Sequence, residues 1–270
     1  MPQRRPHRPV PRSGGREATM QNGEQRRTLV LVRHGESVYN ADQIFTGLLD
    51  VDLSERGVAQ IGVAARLMAD AGLHPRLVVA SPLLRATRTA EGIQEVLCPE
   101  AALRLDWRLA ERDYGCLTGV PKHECRARWG EEAFFTWRRT LTGRPPAATE
   151  EQRAGWPTSS VELGPLVLGM SESLADVVER VRPFWAWLRG QLADGEGPVA
   201  VVAHGNSLRA LCLLMGGVTA AEVERLNIPA AQPLVFETDE HGDPLDRAGS
   251  YLDPATAQVE AARVAAEGGT

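Results

Sequence analysis

The chain has 270 residues, of which 43% are hydrophobic and 24% charged, so a sizeable core can be buried and wholesale disorder is not expected. A net charge of -5 argues against a general nucleic-acid binder, and no apolar run reaches the roughly 18 residues that span a bilayer. The four cysteines, Cys98, Cys116, Cys125 and Cys212, form no CxxC pair and read as reduced thiols. With no apolar secretory segment near the N-terminus, a cytoplasmic location is the expectation.

In chain order, residues 1–27 are rich in Arg, Pro and Gly and read as a disordered tail, too poor in apolar residues to offset the entropy of ordering. Leu29 to Val32 is an apolar, β-branched run that breaks into polar residues, the pattern of a buried strand feeding a loop. Ser54 to Ala71 reads as a helix starting on a serine N-cap, and Leu77 to Ala80 as a second buried strand. A second helix is predicted over Pro82 to Leu97, and the stretch from Thr142 to Gly169, dense in Pro, Gly, Thr and Ser, reads as a long loop or insertion. Ser173 to Leu192 carries a capping box, Ser173 with Asp176, and Val199 to Ala203 is a third strand. After Asp239 a turn leads to an Ala-rich stretch, Ala255 to Glu267, that reads as a weak helix or a tail.

Strands alternating with helices of this length imply an α/β three-layer sandwich, a mostly parallel central sheet with helices on both faces. The expected organisation is the tail at 1–27, one catalytic domain over 28–240, and a C-terminal tail at 241–270 that would serve as a lid. Ligands of such sheets bind at the carboxyl ends of strands, which is where Arg33 and His34 and then His204, Gly205 and Asn206 fall. Glycine beside each histidine would let a backbone N–H approach an anion, and Arg85 follows the loop behind the second strand. A lone histidine after a strand is more often structural. Two histidines and two arginines at three strand ends point instead to a phosphate site.

These residues carry a family resemblance. LVRHGES (31–37), SPLLRATRT (81–89) and AHGNSLRAL (203–211) resemble the histidine phosphatase superfamily. FTGLLDVDLSERG (45–57), LAERDYGCLTG (109–119), Trp137-Arg138-Arg139 and LNIPAAQPLVFE (226–237) look like its phosphoglycerate mutases that depend on 2,3-bisphosphoglycerate. The likeness covers about residues 28–240, although the 142–169 loop looks shorter than the family's and lacks several of its residues, and the stretch after Asp239 is only loosely similar. It implies that His34 becomes phosphohistidine, that Arg33, Arg85, Asn40 and His204 hold the transferring phosphoryl group, and that Glu111 is the general acid and base. It further implies that Ser37, Thr46, Gly47, Tyr114, Lys122, Arg138, Arg139, Gly205 and Asn206 hold a phosphoglycerate substrate. The implied primer is 2,3-bisphosphoglycerate with no metal, since His123 and Cys125 alone make too few ligands.

Lys122 also stands out by itself: it is the chain's only lysine, retained where every other basic position is arginine. A compact ammonium suits a place where a planar fork does not. A phosphatase of the same superfamily would share His34, Arg33, Arg85 and His204 and pass the phosphoryl group to water. An inactive phosphate-binding relative would be expected to have lost one of these residues, and none is lost. The partners expected are thus a small phosphorylated acid, with neither nucleic acid nor membrane, and a homo-oligomer is left open.

Overall fold

A computed structural model describes residues 27–157, 161–195 and 197–266. All but Arg27 of the polar segment expected as a tail, and the end of the Ala-rich stretch, lie outside the described residues. In chain order the elements are β1 (Thr28–Arg33), α1 (Val38–Ala41), α2 (Glu55–Asp70), β2 (Leu77–Ala80), α3 (Leu84–Leu97) and β3 (Ala102–Leu105). There follow α4 (Lys122–Arg139), α5 (Glu150–Ala154), α6 (Leu174–Asp194), β4 (Val199–Ala203), α7 (Gly205–Leu214), α8 (Ala220–Val223), β5 (Leu234–Glu237), β6 (Ser250–Tyr251) and α9 (Pro254–Ala266). No described helix is long and apolar enough to cross a membrane.

The strands form a six-stranded sheet ordered β3-β2-β4-β1-β5-β6, parallel from β3 to β1 and antiparallel at β5 and β6. Alternate residues of a strand face opposite sides, and the core divides accordingly. Leu29, Leu31, Val79, Val199 and Val201 pack against α6 and α7 through Val181, Phe184, Leu188 and Leu211. Val30, Val32, Val78, Ala200 and Val202 pack against α2 and α3 through Ala64, Met68, Ala90 and Ile93. Both faces of the three central strands are therefore dry, and truncating a fully buried residue such as Leu31 to alanine costs about 2 to 5 kcal/mol. This is the three-layer sandwich that the sequence implied.

Local signals account for most helix ends. The Ser54 hydroxyl accepts from the Gly57 N–H at 3.0 Å, and Ser173 with Asp176 forms the expected capping box. Helix α3 begins at Leu84, two residues after Pro82, because its capping acceptor comes from elsewhere: Asp50 Oδ1 takes the Leu84 N–H at 2.7 Å. The described residues of the 142–169 segment are more than a plain loop. The segment holds α5 behind a Thr149/Gln152 capping box, and Val161, Leu163, Leu166 and Leu168 seat it on Leu48, Leu83 and Ala110.

The chain past residue 240 departs from the expected tail. Strand β6 pairs with β5, extending the sheet beyond the expected boundary at 240, and the Ala-rich stretch forms α9 with Ala257 and Val264 buried. Those two apolar side chains, rather than alanine propensity alone, anchor the helix.

Candidate active site

The register of the three central strands assembles the site. Arg33 lies opposite Ala203, and Ala80 opposite Val202, so β1, β2 and β4 end at one level and deliver His34, Ser81 and His204 side by side. The two imidazole rings are 4.9 Å apart between centroids, tilted by 60°. His34 Nδ1 lies 2.6 Å from the Gly35 carbonyl oxygen, which only accepts, so Nδ1 carries the proton and Nε2 keeps its lone pair. Burial and the Arg85 and Arg33 guanidiniums hold the His34 pKa well below the ordinary value. His204 is held down in the same sense, by burial first and then by Arg85, and its Nε2 lies 2.8 Å from Ser81 Oγ. His34 is thus a neutral imidazole with an oriented lone pair among cations.

Those cations are themselves positioned by backbone. Arg85 donates to the carbonyls of Leu49 and Gly47, both at 2.9 Å, and Arg33 donates to the Ile228 carbonyl at 2.9 Å. Burial lowers Arg85 to about 10 and Arg138 to about 9, so both remain charged at neutral pH and lack the solvation an anion would replace.

Lys122 opens α4 and Arg138 sits sixteen residues later, which in a straight helix would put them ~24 Å apart. Instead α4 breaks at Gly130, whose φ of 81° is open to glycine and strained for other residues, and both side chains line the cavity that holds His34. Arg138 also lies over the rings of Phe45 and Phe134, at 5.1 and 5.3 Å.

The cavity is lined by Arg33, His34, Asn40, Thr46, Gly47, Arg85, Glu111, Tyr114, Lys122 and Arg138, ten of the expected site residues, together with Glu36, Ile44, Phe45, Ala230, Arg263 and Val264. Five expected residues stand behind this wall. Ser37 caps α1, its hydroxyl accepting from the Asn40 N–H at 3.1 Å. Gly205 begins α7 after His204, and Asn206 Nδ2 donates to Glu111 Oε1 at 3.0 Å and to the Tyr114 hydroxyl at 2.8 Å. Arg139 Nη2 donates to the Leu226 carbonyl at 3.4 Å.

The reason expected for Gly35 also changes. Its N–H donates to Thr89 Oγ1 at 3.1 Å, and a Cβ there would meet the Gly57 carbonyl oxygen at 2.6 Å, so the glycine permits close backbone packing against α2.

Several contributors had no signal of their own in the sequence. Arg263 and Val264 reach the cavity from α9, and only the fold brings them there. Arg112 was visible as the neighbour of Glu111. It is fully buried, lies 4.8 Å over the Tyr114 ring and donates to the Trp137 carbonyl. Among the described residues no group of three or more His, Cys, Asp or Glu could hold a metal ion.

Two histidines side by side at strand ends, one with an oriented Nε2 lone pair, and arginines converging on both make a site suited to a phosphate group. A sequence model described as histidine phosphatase superfamily (branch 1) matches residues 29–250, and the chain belongs to that superfamily. Its relatives include proteins named 2,3-bisphosphoglycerate-dependent phosphoglycerate mutase. The one from Clavibacter sepedonicus is 42% identical over 90% of this chain and 97% of its own. The one from Nitratidesulfovibrio vulgaris is 44% identical over 89% and 98%. Among solved structures, the mycobacterial glucosyl-3-phosphoglycerate phosphatase complexed with VO3 superposes with a TM-score of 0.60 at 27% identity, covering 78% of this chain and 92% of its own.

Proposed function

We propose that the enzyme interconverts 3-phosphoglycerate and 2-phosphoglycerate through phosphohistidine at His34. The observation that carries this reading is one cavity lined by the proposed nucleophile His34, by Glu111, and by two further cations, Lys122 and Arg138. A hydrolase of small esters needs the first two, whereas a mutase also needs cations that hold the carboxylate of the sugar acid.

In this reading the Nε2 lone pair of His34 attacks phosphorus, the phosphorus–oxygen bond of the donor breaks, and the electron pair leaves with oxygen, which takes a proton from Glu111. In the return step Glu111 removes a proton from the other hydroxyl, whose oxygen attacks phosphorus and releases the neutral imidazole. Arg33, Arg85, Asn40 and His204 stabilise the equatorial oxygens, so positioning and charge supply most of the catalysis. Lys122, Arg138, Tyr114, Thr46 and Gly47 hold the acid, while Ser37, Gly205, Asn206 and Arg139 support them.

The primer fits this donor set. Arg33, Arg85, Lys122 and Arg138 face one cavity, and desolvation of their charges favours a ligand with several anionic groups. 2,3-Bisphosphoglycerate would supply the first phosphoryl group to His34, and among the described residues no cluster of His, Cys, Asp or Glu could hold a metal ion.

The likeness to a phosphatase structure supports a second reading, transfer of the phosphoryl group to water from small phosphate esters. Identity of 42–44% over about nine tenths of the chain favours the mutase. The deciding assay follows 3-phosphoglycerate with and without added 2,3-bisphosphoglycerate, in EDTA. Primer-dependent appearance of 2-phosphoglycerate supports the mutase, and release of inorganic phosphate alone supports the hydrolase. Activity lost to EDTA and restored by a divalent ion would overturn both.

A further inference from the structure

Glu111 is held through one of its two oxygens. Oε1 accepts from the Arg112 N–H at 2.8 Å, the Asn206 N–H at 3.3 Å and Asn206 Nδ2 at 3.0 Å. Oε2 takes no hydrogen bond from the described residues. A carboxylate oxygen offers about two lone-pair sites, so Oε1 is saturated and Oε2 is the oxygen left for proton exchange in the cavity that Glu111 lines.

What imposes this division lies outside the expected site. An amide presents an acceptor at one end and donors at the other, and its orientation follows from its partners. Arg209, which can only donate, lies 2.9 Å from Asn206 Oδ1, so the amide nitrogen must face Glu111 and Tyr114. Arg209 is itself fixed by the Val223 carbonyl, through Nε at 3.0 Å and Nη2 at 2.6 Å, and is fully buried. Burial lowers it only to about 9, so it stays a donor-only cation at neutral pH.

We propose that Arg209 is a positioning residue that, by dictating the orientation of the Asn206 amide, decides which oxygen of Glu111 exchanges the substrate proton. This rests on the reading of Glu111 as the proton-transfer group. Without Arg209 the amide is free to turn its carbonyl toward Oε1, acceptor against acceptor, and the carboxylate loses its alignment. Transfers that expel an alkoxide then slow, whereas a nitrophenolate leaves without being protonated.

The test is a series of phosphate esters running from glycerol phosphate to p-nitrophenyl phosphate. Turnover by the full chain is plotted against the acidity of the leaving group for wild type, Glu111→Gln, Arg209→Met, Arg209→Gln and Arg209→Lys. Positioned acid-base groups contribute typically 10²- to 10⁴-fold, and partial misalignment in Arg209→Met and Arg209→Gln is expected to slow alkyl esters by roughly 10- to 100-fold. Nitrophenyl phosphate, which also reports a folded site, is expected to change little, and Arg209→Lys, again donor-only, to regain part of the loss. In a Glu111→Gln background Arg209→Gln should add almost nothing. Equal losses across the series, or a folded Arg209→Gln enzyme with the wild-type dependence, overturn the proposal. Should Arg209→Met not fold, Arg209→Gln decides, since its amide can still donate to Val223 yet no longer dictates the orientation of Asn206. If Glu111→Gln itself leaves the dependence unchanged, it is the reading of Glu111 that fails. If Glu111→Gln steepens it and the Arg209 variants do not, only the present inference fails.

Discussion

The Glu36 carboxylate, two residues after His34, meets the Arg263 guanidinium of the C-terminal helix at 3.4 Å. Arg56 joins Glu36 at 3.4 Å and Glu260 at 2.9 Å, and Glu260 returns to Arg263 at 3.1 Å, so α9 is tied over the cavity by a four-membered ion network. Each such pair near the surface contributes about 1 kcal/mol or less, weak enough for the cover that we propose α9 to form to open during turnover. A chain ending at Asp253 is expected to hydrolyse its phosphohistidine more and isomerise less, read as the ratio of inorganic phosphate to 2-phosphoglycerate released. Raising ionic strength from 0.1 to 1 M, which shortens the screening length from about 10 to about 3 Å, should move the full-length enzyme the same way. An unchanged ratio in both experiments removes the cover role.

The tautomer of His34 leads to a labelling prediction. Enzyme mixed with 2,3-bisphosphoglycerate carrying labelled phosphorus should become labelled on His34, with a bond labile to acid and stable to base. The His34→Ala enzyme should take up no label. Label on a serine, or equal label on that variant, contradicts the assignment.

Lys122 and Arg138 separate holding the acid from moving the phosphoryl group. A charge-assisted hydrogen bond contributes roughly 1.5 to 3 kcal/mol, so Lys122→Ala and Arg138→Ala should each lower mutase kcat/KM on the order of 10- to 150-fold. Hydrolysis of an aryl phosphate, which has no carboxylate, should barely change. Arg33→Ala or Arg85→Ala should damage both activities. Parallel losses for Lys122→Ala in the two assays would mean that the lysine serves the phosphoryl group itself.

The two neutral histidines set a pH dependence of stability. Their pKa values are depressed on folding, so above the unfolded value near 6.5 neither state binds the proton and nothing is lost. Below it the unfolded chain binds protons that the folded one refuses, and stability falls with pH by up to about 1.4 kcal/mol per unit for each histidine. Unfolding by urea between pH 7.5 and 5.5, without ligand, should show this slope, and His204→Asn should reduce it by about half. A slope untouched by the substitution would place the acid sensitivity elsewhere.

The two histidines, the arginines near them and the strands that lead to them were legible along the chain because each is a local pattern. An apolar run of four or five residues breaking into Arg33-His34, Ser81-Pro82 or His204-Gly205 needs nothing but its own neighbours to be read as a buried strand feeding a loop. Ser54 and Ser173 marked helix starts for the same reason, since a cap is an interaction within four residues. What the sequence determined by itself was therefore the inventory of reactive groups and the ends of strands on which they ride.

The tertiary structure alone decided which groups share a wall and what each one faces. Antiparallel β5 and β6 and the edge strand β3 were invisible because a short strand draws its stability from the neighbour it pairs with. Helix α9 earns its place through Ala257, Val264 and an ion network reaching back to Glu36, contacts more than 200 residues apart in sequence. The break at Gly130, which brings Lys122 and Arg138 into one cavity, is a matter of one backbone angle. Arg209 is the clearest instance. It is the single arginine of α7 and its sequence neighbours do not mark it, whereas burial against Val223 and Asn206 directs its donors onto their oxygens, since a buried guanidinium must place its hydrogen bonds on the groups that surround it.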